Sequence, residues 1–187
     1  MNKVKNFSVL FLALIVLIGC KKRDTFVNNS FFDKTFNWTI AIPDDYEKKE
    51  IKEEINQDPD LANKKHSIVA FKRDKANYFE ANYEDYSADV RSAGLSMRLK
   101  DFLFLKDIGQ IYPKGQMGDY SVTNESVSGL EFRKSKTVLT ENEKPVVTIV
   151  IFSRTFKEKL FIAKIVYENE AYGNAMIDLF KKSTFKE

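Results

Sequence analysis

Two apolar runs of strand length, separated by three charged residues, restrict this chain more than any other feature. Val146 to Phe156 is apolar on both faces around Ile149, Val150, Ile151 and Phe152, and Leu160 to Tyr167 is apolar on nearly both. Lys157-Glu158 between them leaves room only for a tight turn. Parallel neighbours need a crossover of a dozen or more residues, so these strands must be antiparallel. A strand apolar on both faces must be covered on both. The pair therefore belongs at the centre of a sheet with further structure above and below it.

The remaining pattern supplies candidates for that structure. In Phe36 to Ile42, Phe36, Trp38, Ile40 and Ile42 point one way and Asn37, Thr39 and Ala41 the other, a half-buried strand that Pro43 stops. Asp44 or Asp45 is placed to cap a helix over Tyr46 to Asn56, with little apolar surface beyond Tyr46, Ile51 and Ile55. Ser67 to Arg73 and Asn77 to Tyr83 read as strands joined by Asp74-Lys75-Ala76, with Phe79, Ala81 and Tyr83 sharing a face. Val90, Ala93, Met97 and Phe104 recur at helical spacing and predict the main helix over Asp89 to Lys106. Gly109 to Gly118, which holds Pro113, reads as a loop. Strands follow at Tyr120 to Ser126 and Leu130 to Leu139 around a Ser128-Gly129 turn, with a loop at Glu141 to Pro145. A last helix, Ala171 to Ser183, carries the stripe Tyr172, Ala175, Met176, Leu179 and Phe180. The fold class is α+β: a largely antiparallel sheet of six to seven strands with helix candidates for both faces.

Composition removes several classes. The chain has 187 residues, of which 43% are hydrophobic and 13% aromatic, with one cysteine. One long apolar run excludes a polytopic membrane protein, the aromatic content argues against disorder, and a single Cys builds neither a disulfide scaffold nor a thiolate zinc site.

That apolar run opens the chain. Lys3 and Lys5 precede an uncharged stretch from Phe7 to Ile18, and Leu17-Ile18-Gly19-Cys20 ends it. Twelve helical residues span about 18 Å, short of the roughly 30 Å hydrocarbon core, so the pattern is a secretory signal and not an anchor helix. Its end resembles a bacterial lipobox, in which a small residue precedes an invariant Cys. The resemblance implies removal of residues 1–19, lipidation of Cys20 and attachment to a membrane by the N-terminal lipid. Residues 20–30 are then tether, and 31–187 a single domain. Lys3 and Lys5 leave with the signal, which lowers the formal net charge from +3 to +1. The charges are interleaved without a basic stripe, so nucleic acid is not an expected partner.

Lys21, not Asp, follows the cysteine, and Lys21-Lys22-Arg23 is not an acidic run. By resemblance to lipoprotein sorting in Gram-negative bacteria, this implies the periplasmic face of the outer membrane. The same three residues are placed to touch anionic headgroups.

The domain resembles the PsbP-like superfamily. The features that carry the likeness are an aromatic strand ending in Ile-Pro (Trp38 to Pro43), a helix directly after it, a long β-meander, and a closing helix before Ser183-Thr184-Phe185. The likeness spans Phe31 to Phe185. It implies an α/β/α sandwich and a non-catalytic role in docking to, or assembling, a larger complex. It transfers no functional residue and no photosynthetic role.

Chemistry-bearing motifs are scarce. His66 is the sole histidine and reads as a solvated loop residue before the strand at Ser67. No G-x-S-x-G is present, and Ser92-Ala93-Gly94-Leu95-Ser96 has the wrong order. Asp58-Pro59-Asp60, and Glu84-Asp85 with Asp89, lack the alternation and glycine of a calcium loop. Gly109 to Gly118 lacks the phosphate-loop pattern. No catalytic residue, metal or cofactor is expected. The residues placed to form a contact surface are Tyr78, Arg91, Arg98 and Tyr112. The expected function is an envelope-anchored accessory lipoprotein that binds an envelope protein. The alternatives are a small-molecule or lipid carrier, and an unrecognised hydrolase. The sequence carries no signal for an oligomeric state.

Overall fold

The computed structural model describes residues 25–27, 29–48, 65–86, 108 and 110–186. A seven-stranded antiparallel sheet runs in the order β4-β5-β6-β10-β9-β8-β7. Its strands are β4 (Glu47–Lys48), β5 (Lys65–Lys72), β6 (Tyr78–Asp85), β7 (Gln116–Val127), β8 (Leu130–Glu141), β9 (Lys144–Phe156) and β10 (Lys159–Tyr167). A four-stranded sheet of order β1-β2-β3-β11 is built from β1 (Thr25–Val27), β2 (Ser30–Asp33), β3 (Trp38–Ala41) and β11 (Thr184–Phe185). One helix, α1 (Glu170–Lys181), is among the described residues.

The expected central hairpin is present. β9 and β10 pair from Lys159↔Phe156 to Tyr167↔Thr148, with β6 on the outer side of β10 and β8 on the outer side of β9. Their two apolar faces feed two cores. On the first, Val150, Phe152, Phe161, Ala163 and Ile165 meet Trp38 and Ile40 of the small sheet and Met176 and Phe180 of α1. On the second, Val147, Ile149, Ile151 and Val166 join Leu139 and Ile108.

Trp38 ties the layers together. Its ring stacks on Phe185 and meets Phe161 edge-on at 5.1 Å between centroids. Its indole N–H donates to Ser183 Oγ at 2.8 Å, and that hydroxyl donates to the Phe180 carbonyl at 2.6 Å. A buried indole thus has its one donor satisfied at the end of α1.

The start of α1 is fixed from the opposite direction. Asn169 is its N-cap and accepts from the backbone N–H groups of Ala171 and Tyr172. Asn77, in the β5–β6 turn, accepts from the N–H groups of Glu168 and Asn169 and donates to Asp74. Burial alone would raise the Asp74 carboxyl, but bonds from Asn77 and from the N–H groups of Ala76 and Asn77 outweigh it and hold the group below its ordinary value.

Several expectations are corrected. Tyr46 does not begin a helix: Glu47 and Lys48 pair with Lys72 and Phe71 at the edge of the main sheet. Tyr46 packs edge-on against Phe71 at 5.3 Å and Lys72 bridges to Glu47 at 3.2 Å, so tertiary contacts override the local helical pattern. The rest of that segment and the whole of the expected Asp89–Lys106 helix lie outside the described residues. Gly109 to Gly118 is not a continuous loop, since Ile108, Gln110 and Ile111 are helical and Gln116 opens β7. The Glu141–Pro145 loop shrinks to Asn142-Glu143, both with positive φ, the signature of a two-residue type I′ hairpin. Ordered strand also begins earlier than Phe31: Thr25–Val27 pairs with Ser30–Phe32, inside the stretch expected to be tether. His66 lies within β5, stacked on Tyr83 at 4.6 Å, and is not a loop residue. The α/β/α expectation stands in part. α1 covers one face together with a second sheet, and the described structure is mostly antiparallel strand.

Two outcomes are expected from this packing. A Cβ on Gly173 would lie 2.3 Å from the Tyr167 ring, so Gly173→Ala should cost about 1–3 kcal/mol in urea unfolding. Glu125 takes hydrogen bonds from Lys134 and Lys181, joining β7, β8 and α1, and these hold its carboxyl below the ordinary 4.5. A depressed folded pKa contributes stability above the unfolded value and loses it as pH falls through the folded one. Glu125→Gln should therefore be less stable at neutral pH by about 0.5–1 kcal/mol. That difference should vanish under acid, measured by denaturant midpoints across pH.

Candidate functional site

Strand alternation fixes what the second face of the main sheet presents. Cross-strand register sets three rows across it. The first runs Asn82, Ile162, Ser153, Arg133, Asn124; the second Glu80, Lys164, Ile151, Ser135, Val122; the third Tyr78, Val166, Ile149, Thr137, Tyr120. The third row is apolar at its centre. The first two carry polar groups where the opposite face carries phenylalanines.

Lys164 is the pivot. It is 8% exposed, and its Nζ lies 2.9 Å from Glu80 Oε2 on the neighbouring strand. It also stands 5.7 Å from the centre of the Tyr78 ring. Burial, and then the Glu80 charge, push the Tyr78 hydroxyl up to about 12, so it stays protonated. Asn82, Ser135, Thr137 and Ser153, in the rows of the same face, are all buried. Arg133 Nη2 donates to Tyr120 Oη at 3.1 Å. Ser153 Oγ, on a residue only 3% exposed, has no hydrogen-bond partner. The face therefore offers one ion pair, the Arg133 guanidinium, several hydroxyl and amide groups, and the Ser153 hydroxyl.

Two of the four expected contact residues meet on this face. Tyr78 and Tyr112 are both part-buried against the Ile108, Leu139 and Val166 cluster. Tyr112 Oη donates to Glu168 at 2.7 Å; burial first, then that bond and the Glu168 charge, raise its pKa. Both tyrosines thus sit in packed settings. Arg91, Arg98 and Cys20 lie outside the described residues, as do Asp58, Asp60 and Asp89.

His66 stacks on Tyr83, whose ring belongs to the opposite face, so Ser153 and His66 are on different sides of the sheet. Lys159 Nζ lies 4.7 Å from the Tyr83 ring centre and 3.5 Å from Asp85 Oδ1. Among the described residues no group of three or more His, Cys, Asp or Glu side chains converges to hold a metal ion.

The polar pivot was missed in the sequence reading. Its signal was a lysine inside an otherwise apolar strand, Phe161-Ile162-Ala163-Lys164-Ile165-Val166, opposite a glutamate between Phe79 and Ala81. A charge at such a position must be paired.

The exposed large apolar side chains among the described residues are Ile111, Met117 and Val122. Met117 and Val122 belong to β7, a 12-residue strand at the edge of the main sheet. Edges of this length are commonly blunted with charge, Pro or a bulge; β7 has no Lys or Pro, but carries Asp119, Glu125 and a register shift between Met117 and Tyr120.

No protein-family model matches the chain, and no curated protein is significantly similar to it. Among solved structures, the chain is similar to the solution structure of cyanobacterial PsbP (CyanoP) from Synechocystis sp. PCC 6803. That match has a TM-score of 0.56 at 9% identity and covers 84% of this chain and 91% of that one. The likeness establishes a PsbP-like fold.

The Lys164–Glu80 pair generates a prediction. Removing one partner strands a buried charge, so Lys164→Met or Glu80→Leu alone should destabilise by about 3–5 kcal/mol. The double variant should recover most of that loss. A double-mutant cycle by chemical denaturation measures the coupling.

Proposed function

We propose that the protein is an envelope lipoprotein, held at the periplasmic face of an outer membrane by a lipidated Cys20. In this reading its PsbP-like domain is a non-catalytic accessory module that binds an envelope protein. The observation that carries the anchor is the position of the only cysteine, at the end of Leu17-Ile18-Gly19-Cys20. The accessory role draws support from the fold shared with a cyanobacterial PsbP. β7, the edge strand of the main sheet among the described residues, with Met117 56% and Val122 46% exposed, is the surface best suited to a protein partner. The tyrosines of the second face are less suited, because they are already packed.

A small-molecule carrier is the second reading, and the buried hydroxyl of Ser153 without a partner favours it. A ligand released when the purified protein is denatured would support that reading over the first.

A palmitate analogue fed to cells should label the wild type and not Cys20→Ala. Equal labelling of the two would remove the anchor. Crosslinking in intact envelopes should recover one protein partner reproducibly, and repeated failure to do so would remove the accessory role.

A further inference from the structure

The edge strands of the two sheets differ in kind. Among the described residues, β1 has three residues, β11 two and β4 two. Both residues of β4, Glu47 and Lys48, are charged and exposed. Short, charged edges resist pairing with another chain. β7 has 12 residues, and Ser121 and Thr123 on one face and Val122 and Asn124 on the other are all exposed. Its acids do not close it. Glu125 already takes hydrogen bonds from Lys134 and Lys181 of its own chain, and Asp119 lies in the irregular stretch between Met117 and Tyr120. The bases of this hairpin, Arg133, Lys134 and Lys136, stand one strand further in, on β8.

The length available for pairing is bounded at both ends. The register shift before Tyr120 ends the regular ladder on one side, and Val127, fully buried, ends the exposed stretch on the other. Tyr120 to Ser126 remains, with Thr123 at its middle. Opposed side chains of an antiparallel ladder share a face, so a two-fold axis sets one residue of β7 against its own copy and the rest against each other reciprocally. Centred on Ser121, such a ladder runs into the Gly118-Asp119 irregularity after one pair on either side. Centred on Val122, it sets Asp119 against Glu125 twice, and like charges directly opposite are destabilising. Centred on Thr123, the whole stretch pairs: Thr123 with Thr123, Val122 with Asn124, Ser121 with Glu125 and Tyr120 with Ser126. No acid then faces an acid, the Thr–Thr pair is favourable, and the two Val122 side chains become diagonal neighbours on one face. Such pairing uses the edge of both copies and closes at two.

We infer that β7 is the interface with a second copy of this chain, paired antiparallel about Thr123 so that the two main sheets become one. The inference rests on the reading of β7 as the protein-binding surface in the proposed function, and names the partner there.

The test uses the full chain in intact envelopes, treated with a thiol oxidant, with one cysteine added at a time. Directly opposed residues have Cα atoms about 4.5–5.5 Å apart, within the span of a disulfide, so Thr123→Cys should form covalent dimers. In the same register Ser121 and its copy are offset by four residues, about 13 Å, so Ser121→Cys should form about ten-fold less dimer. Val122→Cys and Asn124→Cys chains, expressed together with different tags, should crosslink to each other. These four positions are exposed, and circular dichroism of the purified variants should match the wild type. Equal crosslinking at Thr123 and Ser121, or none at Thr123 and none between Val122 and Asn124, overturns the second copy. A photocrosslinker attached at Thr123→Cys separates the two readings. A discrete adduct with a different protein leaves β7 as the partner surface and removes only the second copy, and no adduct of either kind removes both. Oxidised dimers of the chain without an added cysteine would mean an unacylated Cys20 and overturn the anchor, and the comparison is then made in Cys20→Ser.

Discussion

The fold depends on a hairpin that cannot be solvated on either side. Because β9 and β10 are apolar on both faces, neither is stable until two further layers close over them, and each layer is recruited from a distant part of the chain. Phe161 shows how. Its ring contacts Trp38 from the N-terminal sheet, Phe132 from β8, and Phe180 and Phe185 from the C-terminus. One side chain of the central pair thus holds both ends of the domain. Aromatic pairs at these separations add specific edge and stacking geometry to the apolar burial, which fixes how the small sheet sits on the large one. The Trp38–Ser183–Phe180 hydrogen-bond relay then fixes the end of α1 to the same point.

The two faces solve the covering problem differently. The first is filled with phenylalanine and needs little polar specification beyond that relay. The second places Lys164 and Glu80 where a leucine and an isoleucine would serve stability as well or better, because desolvating two charges offsets most of their attraction. What the ion pair fixes is register. Lys164 and Glu80 are directly opposed across β10 and β6, and a slip of one residue would send each to the other face without its partner. The pair thus favours one alignment of two strands whose apolar residues alone would tolerate several.

The legible and illegible parts of the sequence divide along the same physical line. The central hairpin, the turn at Ser128-Gly129, the shared face of Phe79, Ala81 and Tyr83, and the stripe of Met176 and Phe180 were legible, because burial imposes a period that composition records. β1 and β11 were not, since three and two residues are too few to show a period. Glu47-Lys48 was misread because its local pattern of alternating charge favours a helix, while its actual conformation is set by a strand edge some 24 residues further along. His66 was misread because a stacked partner, Tyr83, is visible only once β5 and β6 are aligned. The candidate site was half legible. Tyr78 and Tyr112 were singled out individually, but their meeting on one face needs the sheet order, and the packed setting of each needs the residues above it.

Sheet order also separates the surfaces on which the proposed function relies. In an antiparallel meander every second turn falls at the same end. The β7–β8 turn at Ser128-Gly129 and the β9–β10 turn at Lys157-Glu158 therefore share the end where β1 begins, and Ser128 Oγ is hydrogen-bonded to the Phe185 backbone there. The β8–β9 turn and the start of β7 fall at the other. β7 runs from its exposed Met117, at the end far from β1, toward the end where β1 begins. In the proposed reading, the meander puts the start of β1 at one end of the sheet and the exposed Met117 of β7 at the other, so anchor and partner occupy different parts of the domain.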